Sequence, residues 1–539
     1  MDISKGLPGD LFGGLTAAIV ALPLALAFGV QSGMGAVAGL YGAIILGILA
    51  ALLGGTRTQI SGPTGPMTVV SSAIIATEIA YFGSLEAALP AIVVTFFLAG
   101  LLQILMGLLR VGQYIRYMPY PVISGFMSGI GLIIIITQLF PLVGLASPGG
   151  PLTTLLAVSS AVNHINIHAL LLALGTIATI YLFPKITKTI PATLVALVIF
   201  TLLSIFLKLQ VPTIGDIPQG LPELHLNAFS LMEWHDPALI IFTALTLASL
   251  GAIDSLLTSV VADNMTRTQH NSNRELIGQG IGNAVAGLFG GLPGAGATIR
   301  TVVNIRSGGN SRLSGIAHGL ILLFIMLGAA KYAGLIPLPV LAGILITVGV
   351  GIIDYRGLRD LRSIPRADMV IMLSVTLLTV FVDLLQAVGI GMVMAALWFM
   401  KQMGDLTEEK SQGHMLPENK LVTLPDEQKW LSGHEEQVYI QHFHGPIFFG
   451  FIFGFNRIIR EMPEVKTVIF RMENVPYIDQ SGLYAFEDAL TYLRQKGIDI
   501  RFCTLQAQPR GMFESIGLIP NLISPDKIVE RFGDLTPLA

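Results

Sequence analysis

Long apolar runs separated by short polar loops fill the chain up to about residue 400. Beyond that point apolar and polar positions alternate over much shorter distances. The apolar segments fall near 11–30, 35–54, 63–80, 88–109, 119–142, 168–183, 190–207, 237–262, 276–290, 297–305, 313–331, 337–353, 367–383 and 385–401. A helix needs about 20 apolar residues to cross a bilayer, so several of these are too short to span alone. The pattern predicts an α-helical polytopic membrane protein with about 14 transmembrane segments over residues 1–402. Residues 403–436 are polar and charged and read as a linker. Residues 437–539 read as a small α/β domain. "QVYIQHFHG", "VKTVIFRMENV" and "IDIRFCTL" have strand character, and "IFFGFIFGFNRIIREM", "SGLYAFEDALTYLRQKG" and "QPRGMFESIG" have helix character.

Composition agrees with the pattern. Hydrophobic residues make up 53% and charged residues 12%, about half the charged share of a soluble domain. The net charge of −3 and the lack of a basic face argue against nucleic acid as a partner; lipid is the expected surrounding. The single cysteine, Cys503, excludes an intramolecular disulfide. The first apolar stretch starts late for a secretory signal and reads as a retained first helix. Arg57, Arg110, Arg116, Lys185, Lys188, Arg267, Arg274, Arg306, Arg312, Arg356, Arg359, Arg362 and Arg366 fall in alternate loops, while the opposite loops hold only Lys208 and Lys331. This positive-inside pattern predicts an even number of spans with both termini cytoplasmic in the cell's inner (plasma) membrane.

Two short stretches resemble each other. Residues 62–70 read "GPTGPMTVV" and residues 294–303 read "GAGATIRTVV". Each sits third within a set of seven predicted segments, about 10–207 and 237–402. Gly/Pro-interrupted segments at matching places point to two inverted repeats with discontinuous helices, although three shared residues also arise by chance. Two helices starting at mid-depth would aim unpaired N–H groups and dipole positive ends at an anion.

Asp254 lies inside a predicted span, with Thr258 four residues on and on the same helix face. One reading is a helix–helix hydrogen bond. The other is a cation or proton site, with Asp254, Thr258, Gly296, Ala297 and Thr298 supplying oxygens to an ion such as Na⁺. Arg300 has three readings: a pair with Asp254, a side chain reaching for the surface, or a lining for the anion pocket. Asp383 reads as interfacial or structural.

The stretches at 9–33, 54–70, 118–135, 253–283 and 294–309, "GDLFGGLTAAIVALPLALAFGVQSG" and "GAGATIRTVVNIRSGG" among them, resemble the SulP family of anion transporters. The C-terminal part resembles a STAS domain, with "DQSG" (479–482) like that domain's loop before a helix. Within the family the similarity is greatest to sodium-dependent bicarbonate transporters. The resemblance implies core and gate bundles that move against each other. It also implies an anion site at Phe28, Thr64 and Gly65 with the start of the tenth helix opposite, where Thr298, Ile299 and Arg300 lie, and a sodium site at Asp254, Thr258, Gly296 and Thr298. A homodimer through the STAS domain is implied as well; the apolar "IFFGFIFGF" suits that contact and equally suits a core. Ser481 reads either as part of a helix cap, with Asp479, or as a regulatory phosphorylation site. Arg300 departs from the bicarbonate transporters, where the resemblance places a glycine. The added charge would favour a more highly charged anion and lessen reliance on sodium.

Na⁺-coupled bicarbonate uptake is the leading expectation. The alternatives are an H⁺-coupled sulfate or dicarboxylate importer, an anion exchanger, an anion channel or motor-like protein, and a nucleobase transporter of similar architecture. No phosphate-binding loop and no catalytic triad signature occurs, so the chain reads as a gradient-driven transporter with no organic cofactor and not as an enzyme.

Overall fold

Each of the fourteen apolar segments coincides with a helix in the computed structural model. These are α1 (Ile3–Ser32), α2 (Ala36–Leu53), α3 (Gly65–Phe82), α4 (Leu85–Leu108), α5 (Tyr120–Thr137), α6 (Ile167–Leu182), α7 (Ala192–Phe206), α8 (Pro237–Thr266), α9 (Ser272–Leu288), α10 (Thr298–Arg306), α11 (Arg312–Ala333), α12 (Leu338–Ile352), α13 (Arg366–Phe381) and α14 (Leu384–Lys410). Eight helices of the described residues are long and apolar enough to cross a membrane by length and composition. The structure describes residues 3–535 apart from 115–116, 163, 188–189, 216–221, 232–235, 361–362, 383, 412, 417–426 and 428–437. Arg116, Lys188, Arg362, Asp383, residue 437 and most of the stretch read as a linker therefore lie outside the described residues. Two compact units emerge, Met1–Met392 and Val393–Ala539.

Within the first unit, α1–α4 pack with α8–α11, while α5–α7 pack with α12 and α13. The tightest seam joins α4 to α9. A Cβ added at Gly280 would stand 2.6 Å from the Gly100 carbonyl oxygen, so only glycine lets the backbones approach this closely. Basic residues from different loops converge at one end of the unit. Arg274 Nε donates to Leu53 O (3.1 Å), and Arg312 donates to Leu52 O (3.2 Å) and Gly54 O (2.6 Å). They satisfy the open carbonyls at the C-terminus of α2, where a cation is also favoured by the helix dipole. Asp10 of α1 does the converse at the start of α11, accepting from Asn310 N (2.8 Å) and Ser311 N (2.9 Å). At the same end Asp354 clips the gate helices together: Tyr120 Oη and Ser124 Oγ of α5 both donate to it at 2.6 Å.

The pattern missed a helix at Pro151–Val162, inside a stretch read as loop. It also placed the start of the linker too early. Residues 403–410 continue α14, held partly by a Lys401–Asp405 pair one turn apart (2.9 Å), and Gly413–Leu416 form strand β3. Polarity signalled solvent there, but the solvated end of α14 is itself polar, and a four-residue strand is too short to show alternation.

The second unit holds a five-stranded sheet in the order β3-β4-β5-β6-β7, with β4 at Val438–His444, β5 at Thr467–Asn474, β6 at Asp499–Cys503 and β7 at Ile528–Val529. The β3–β4 pair is antiparallel and the others are parallel. Helices α15 (Ile452–Arg460), α16 (Gln480–Gln495) and α17 (Ala507–Ser515) accompany it. Phe443, Phe455, Phe470, Phe486, Phe502 and Phe513 form its core. The apolar stretch "IFFGFIFGF" divides: Phe451 and Phe455 are buried in that core, while Phe449 and Phe453 are exposed. Asp479 is the N-cap of α16, accepting from Gly482 N at 2.7 Å, whereas Ser481 lies within the helix and is exposed.

Candidate anion and cation site

The two Gly-rich stretches meet. β1 (Ser61–Gly62) and β2 (Ala295–Gly296) pair antiparallel, Ser61 opposite Gly296 and Gly62 opposite Ala295. Each strand feeds directly into a helix, α3 at Gly65 and α10 at Thr298. Two helix N-termini therefore begin on either side of one short strand pair. Neither is capped by its own side chain. Ala297, the N-cap of α10, has no hydroxyl to offer. Thr64, the N-cap of α3, turns its hydroxyl to Asp254 Oδ2 instead (2.7 Å). First-turn amides are thus left without the usual side-chain acceptor, which makes the site suited to an anion.

Asp254 sits on α8, 9% exposed. One turn on, Thr258 Oγ1 lies 2.9 Å from Gly296 O and 2.7 Å from Thr298 Oγ1. Between them Ser255 Oγ accepts the Gly296 N–H at 3.1 Å. α8 is thereby stitched to β2 and α10. Asp254, Thr258, Gly296 and Thr298 offer a carboxylate, two hydroxyls and a carbonyl, a donor set that fits a hard monovalent cation. Ala297 is committed otherwise: its N–H goes to Ile60 O (2.8 Å), and its carbonyl accepts from Thr301 N (2.9 Å).

Arg300 is 2% exposed, so it does not reach for the surface. Its Nη2 donates to the Pro63 carbonyl, and among the described residues Nη1 has no hydrogen-bond partner. No ion pair to Asp254 is formed among the described residues. The guanidinium is wedged behind β1, where a Cβ on Gly62 would lie 2.6 Å from Nη1. Ile299, in the first turn of α10, is 52% exposed. Phe28 is buried on α1, the helix that packs against both α3 and α10. Gly65 faces the gate helices: a Cβ there would stand 2.8 Å from Ile352 Cδ1 and 2.9 Å from Ile134 Cδ1. A small cavity of about 10 Å³ next to Asp254 is lined by Pro66 and by Val122 and Phe126 of α5.

The scaffold behind this site was missed in the sequence. α9 carries Glu275, Gln279 and Asn283 at four-residue spacing, all buried. Glu275 accepts from Gly55 N, Thr56 N, Gln59 Nε2 and Gln279 Nε2, each at 2.8 Å. Gln279 Nε2 reaches Ser61 Oγ (2.6 Å). Asn283 exchanges two bonds with the Gly294 backbone, at 2.9 and 3.0 Å. One polar stripe thus holds the approaches to both β1 and β2. Its signal was legible: polar residues at i, i+4 and i+8 in an otherwise small and apolar helix.

The sulfate permease family profile matches residues 7–375. The chain belongs to the sulfate permease family. A STAS domain profile matches residues 431–531. A sulfate permease family relative, the bicarbonate transporter BicA of Picosynechococcus, is 44% identical over 97% of this chain and 93% of its own length. The solved transmembrane domain of a cyanobacterial BicA is 50% identical and superposes with a TM-score of 0.66, over 71% of this chain and 97% of that one. Murine Slc26a9, an anion transporter solved in an inward-facing state, shares the fold at 20% identity with a TM-score of 0.85, over 98% of this chain and 91% of that one. The architecture is that of a multi-pass membrane transporter of this family with a C-terminal STAS domain.

Proposed function

We propose that this sulfate permease family protein is a secondary transporter that carries bicarbonate into the cell together with Na⁺. The observation that carries the reading is two uncapped helix N-termini joined by the β1–β2 pair, with the oxygen cluster of Asp254, Thr258, Gly296 and Thr298 directly beside them. The name of the BicA relative supports bicarbonate as the anion. Amides at the starts of α3 and α10 hold the anion, with Phe28, Thr64, Gly65 and Ile299 around it. Na⁺, the cotransported ion, is held by the oxygen cluster and neutralises the Asp254 carboxylate. Cation binding first lowers the repulsion that an arriving anion meets from Asp254, so binding is ordered. The bundle of α1–α4 and α8–α11 then moves against α5–α7 and α12–α14, carrying the site from one face to the other in an elevator-like step. The protein lies in the inner membrane with both termini cytoplasmic. It pairs with a second copy through the STAS domain, and Ser481 is the residue there open to modification.

A second reading keeps the architecture and changes the cargo: H⁺-coupled uptake of sulfate or a dicarboxylate. The buried Arg300, with one nitrogen unpartnered among the described residues, favours it by adding a positive charge behind β1. Uptake of labelled bicarbonate, sulfate and succinate by purified protein in liposomes separates the two, with Na⁺ or choline outside and with or without a pH gradient. Bicarbonate uptake that collapses in choline supports the first reading. Sulfate or succinate uptake that follows the pH gradient and ignores sodium overturns it.

A further inference from the structure

Three cavities line up along α8 from the end of the unit opposite the Arg274–Arg312 cluster. The first, about 170 Å³, is lined by Glu78 of α3, by Thr243 and Thr246 of α8 and by Leu384 at the start of α14. The second, much narrower at about 20 Å³, shares Thr246 and Leu384 with the first. The third is the 10 Å³ cavity at Asp254, and it shares Phe126, Leu250 and Ile253 with the second. Thr243, Thr246, Leu250 and Asp254 follow one face of α8, spaced three or four residues apart. Phe126 is 4% exposed and stands where the second cavity meets the third.

The lining of the first cavity selects for charge. Thr243 Oγ1 donates to Leu239 O (2.9 Å), and Thr246 Oγ1 donates to Phe242 O (2.9 Å). Their hydroxyl protons are spent on their own helix, so oxygen lone pairs remain for a visitor. Glu78, 3% exposed, adds a carboxylate on the facing helix. Most of the lining is apolar, Val70, Ile74 and Phe242 included, and the few polar groups are acceptors, which favour a cation over an anion. Ionisable residues inside a span are costly and mark ion pathways more often than chance.

We infer that Glu78 with Thr243 and Thr246 forms a cation-collecting vestibule, from which a route along α8, gated by Phe126, leads to Asp254. The inference rests on the transporter reading above and adds to it the entrance used by the coupling cation. Connectivity places the vestibule at the Lys/Arg-poor end. The N-terminus of α8 lies there because its other end adjoins Arg267 and Arg274, and the start of α14 lies there because the preceding helix α13 begins at the arginine-rich stretch 356–366.

Full-length Thr243→Cys, Leu250→Cys and a loop control, Ser147→Cys, are to be labelled from outside with membrane-impermeant methanethiosulfonates, one cationic and one anionic. The only native cysteine, Cys503, is buried and keeps the background low. Thr243→Cys should react about tenfold faster with the cationic reagent, and adding Glu78→Gln should erase that preference. Phe126→Ala should raise labelling of Leu250→Cys about tenfold. In uptake assays Glu78→Gln should raise half-saturating external Na⁺ severalfold, with maximal rate kept. Labelling of Ser147→Cys but not of Thr243→Cys overturns the route. Equal reaction with both reagents while Glu78 is present overturns the vestibule. Labelling does not depend on which ions are carried, so Thr243→Cys labelling without Na⁺-dependent uptake sinks the sodium reading and leaves the route standing.

Discussion

At the residue scale, Thr64 joins the two halves of the site. As N-cap of α3 it would ordinarily bond an amide of its own helix; instead its hydroxyl goes to Asp254. Thr64→Val removes the donor and leaves the buried carboxylate oxygen without it, which costs about 1–3 kcal/mol. The expected outcome is coupled uptake weakened by about tenfold or more, largely restored in Thr64→Ser, as read from initial rates in liposomes. Asp254→Asn should abolish Na⁺-dependent uptake at any sodium concentration, while chloride or choline replacement tests leave the residual rate unchanged. Both residues were visible in the sequence, because a carboxylate in a span and a threonine in a Gly/Pro-rich break each stand out against apolar neighbours. Arg300 stood out equally, yet its orientation was not legible. Three readings had the same sequence signature, and only the position of β1 decided that the guanidinium meets the Pro63 carbonyl.

At the element scale, the site depends on α9 holding two non-helical strands at mid-depth. Backbone outside a helix must find partners inside the protein when no water is present. Glu275 supplies them for the Gly55 and Thr56 amides at once and also accepts from the Gln59 side chain. Glu275→Ala strands two buried amides and should destabilise the unit by about 2–5 kcal/mol, seen as a lower thermal midpoint in detergent and as lost transport. Gly65 marks the opposite side of the same elements, where α3 meets the gate. Gly65→Val drives a side chain into Ile134 and Ile352, and overpacking of this kind costs about 1–3 kcal/mol. Uptake should fall with folding preserved, and Ile352→Ala in the same chain should recover part of it. Recovery absent in the double variant would place the clash elsewhere. The helices themselves were legible from apolar length alone. The helix Pro151–Val162, the polar end of α14 and the short strand β3 were not, because short or solvated elements carry too little apolar periodicity to distinguish them from loop.

At the scale of the whole molecule, the proposed elevator-like step requires the α8-bearing bundle to shift against α5. Leu257 of α8 and Val122 of α5 line the same cavity beside Asp254. A bifunctional, reducible thiol reagent across Leu257→Cys and Val122→Cys should stop uptake, and reduction should restore it; full activity in the linked protein would rule out relative movement there. What the sequence by itself determined is the class of protein: many apolar spans, a positive-inside alternation of loops, two matching Gly-rich breaks and a soluble α/β tail. These follow from local chemistry, since hydrocarbon demands apolar length and broken helices demand glycine or proline. Tertiary structure alone decided that the two breaks pair as antiparallel strands, that α9 anchors both, and that a file of cavities runs from Glu78 to Asp254. Those facts depend on contacts between residues about 200 positions apart, such as Thr64 with Asp254 at a separation of 190, and no local pattern encodes which distant segments meet.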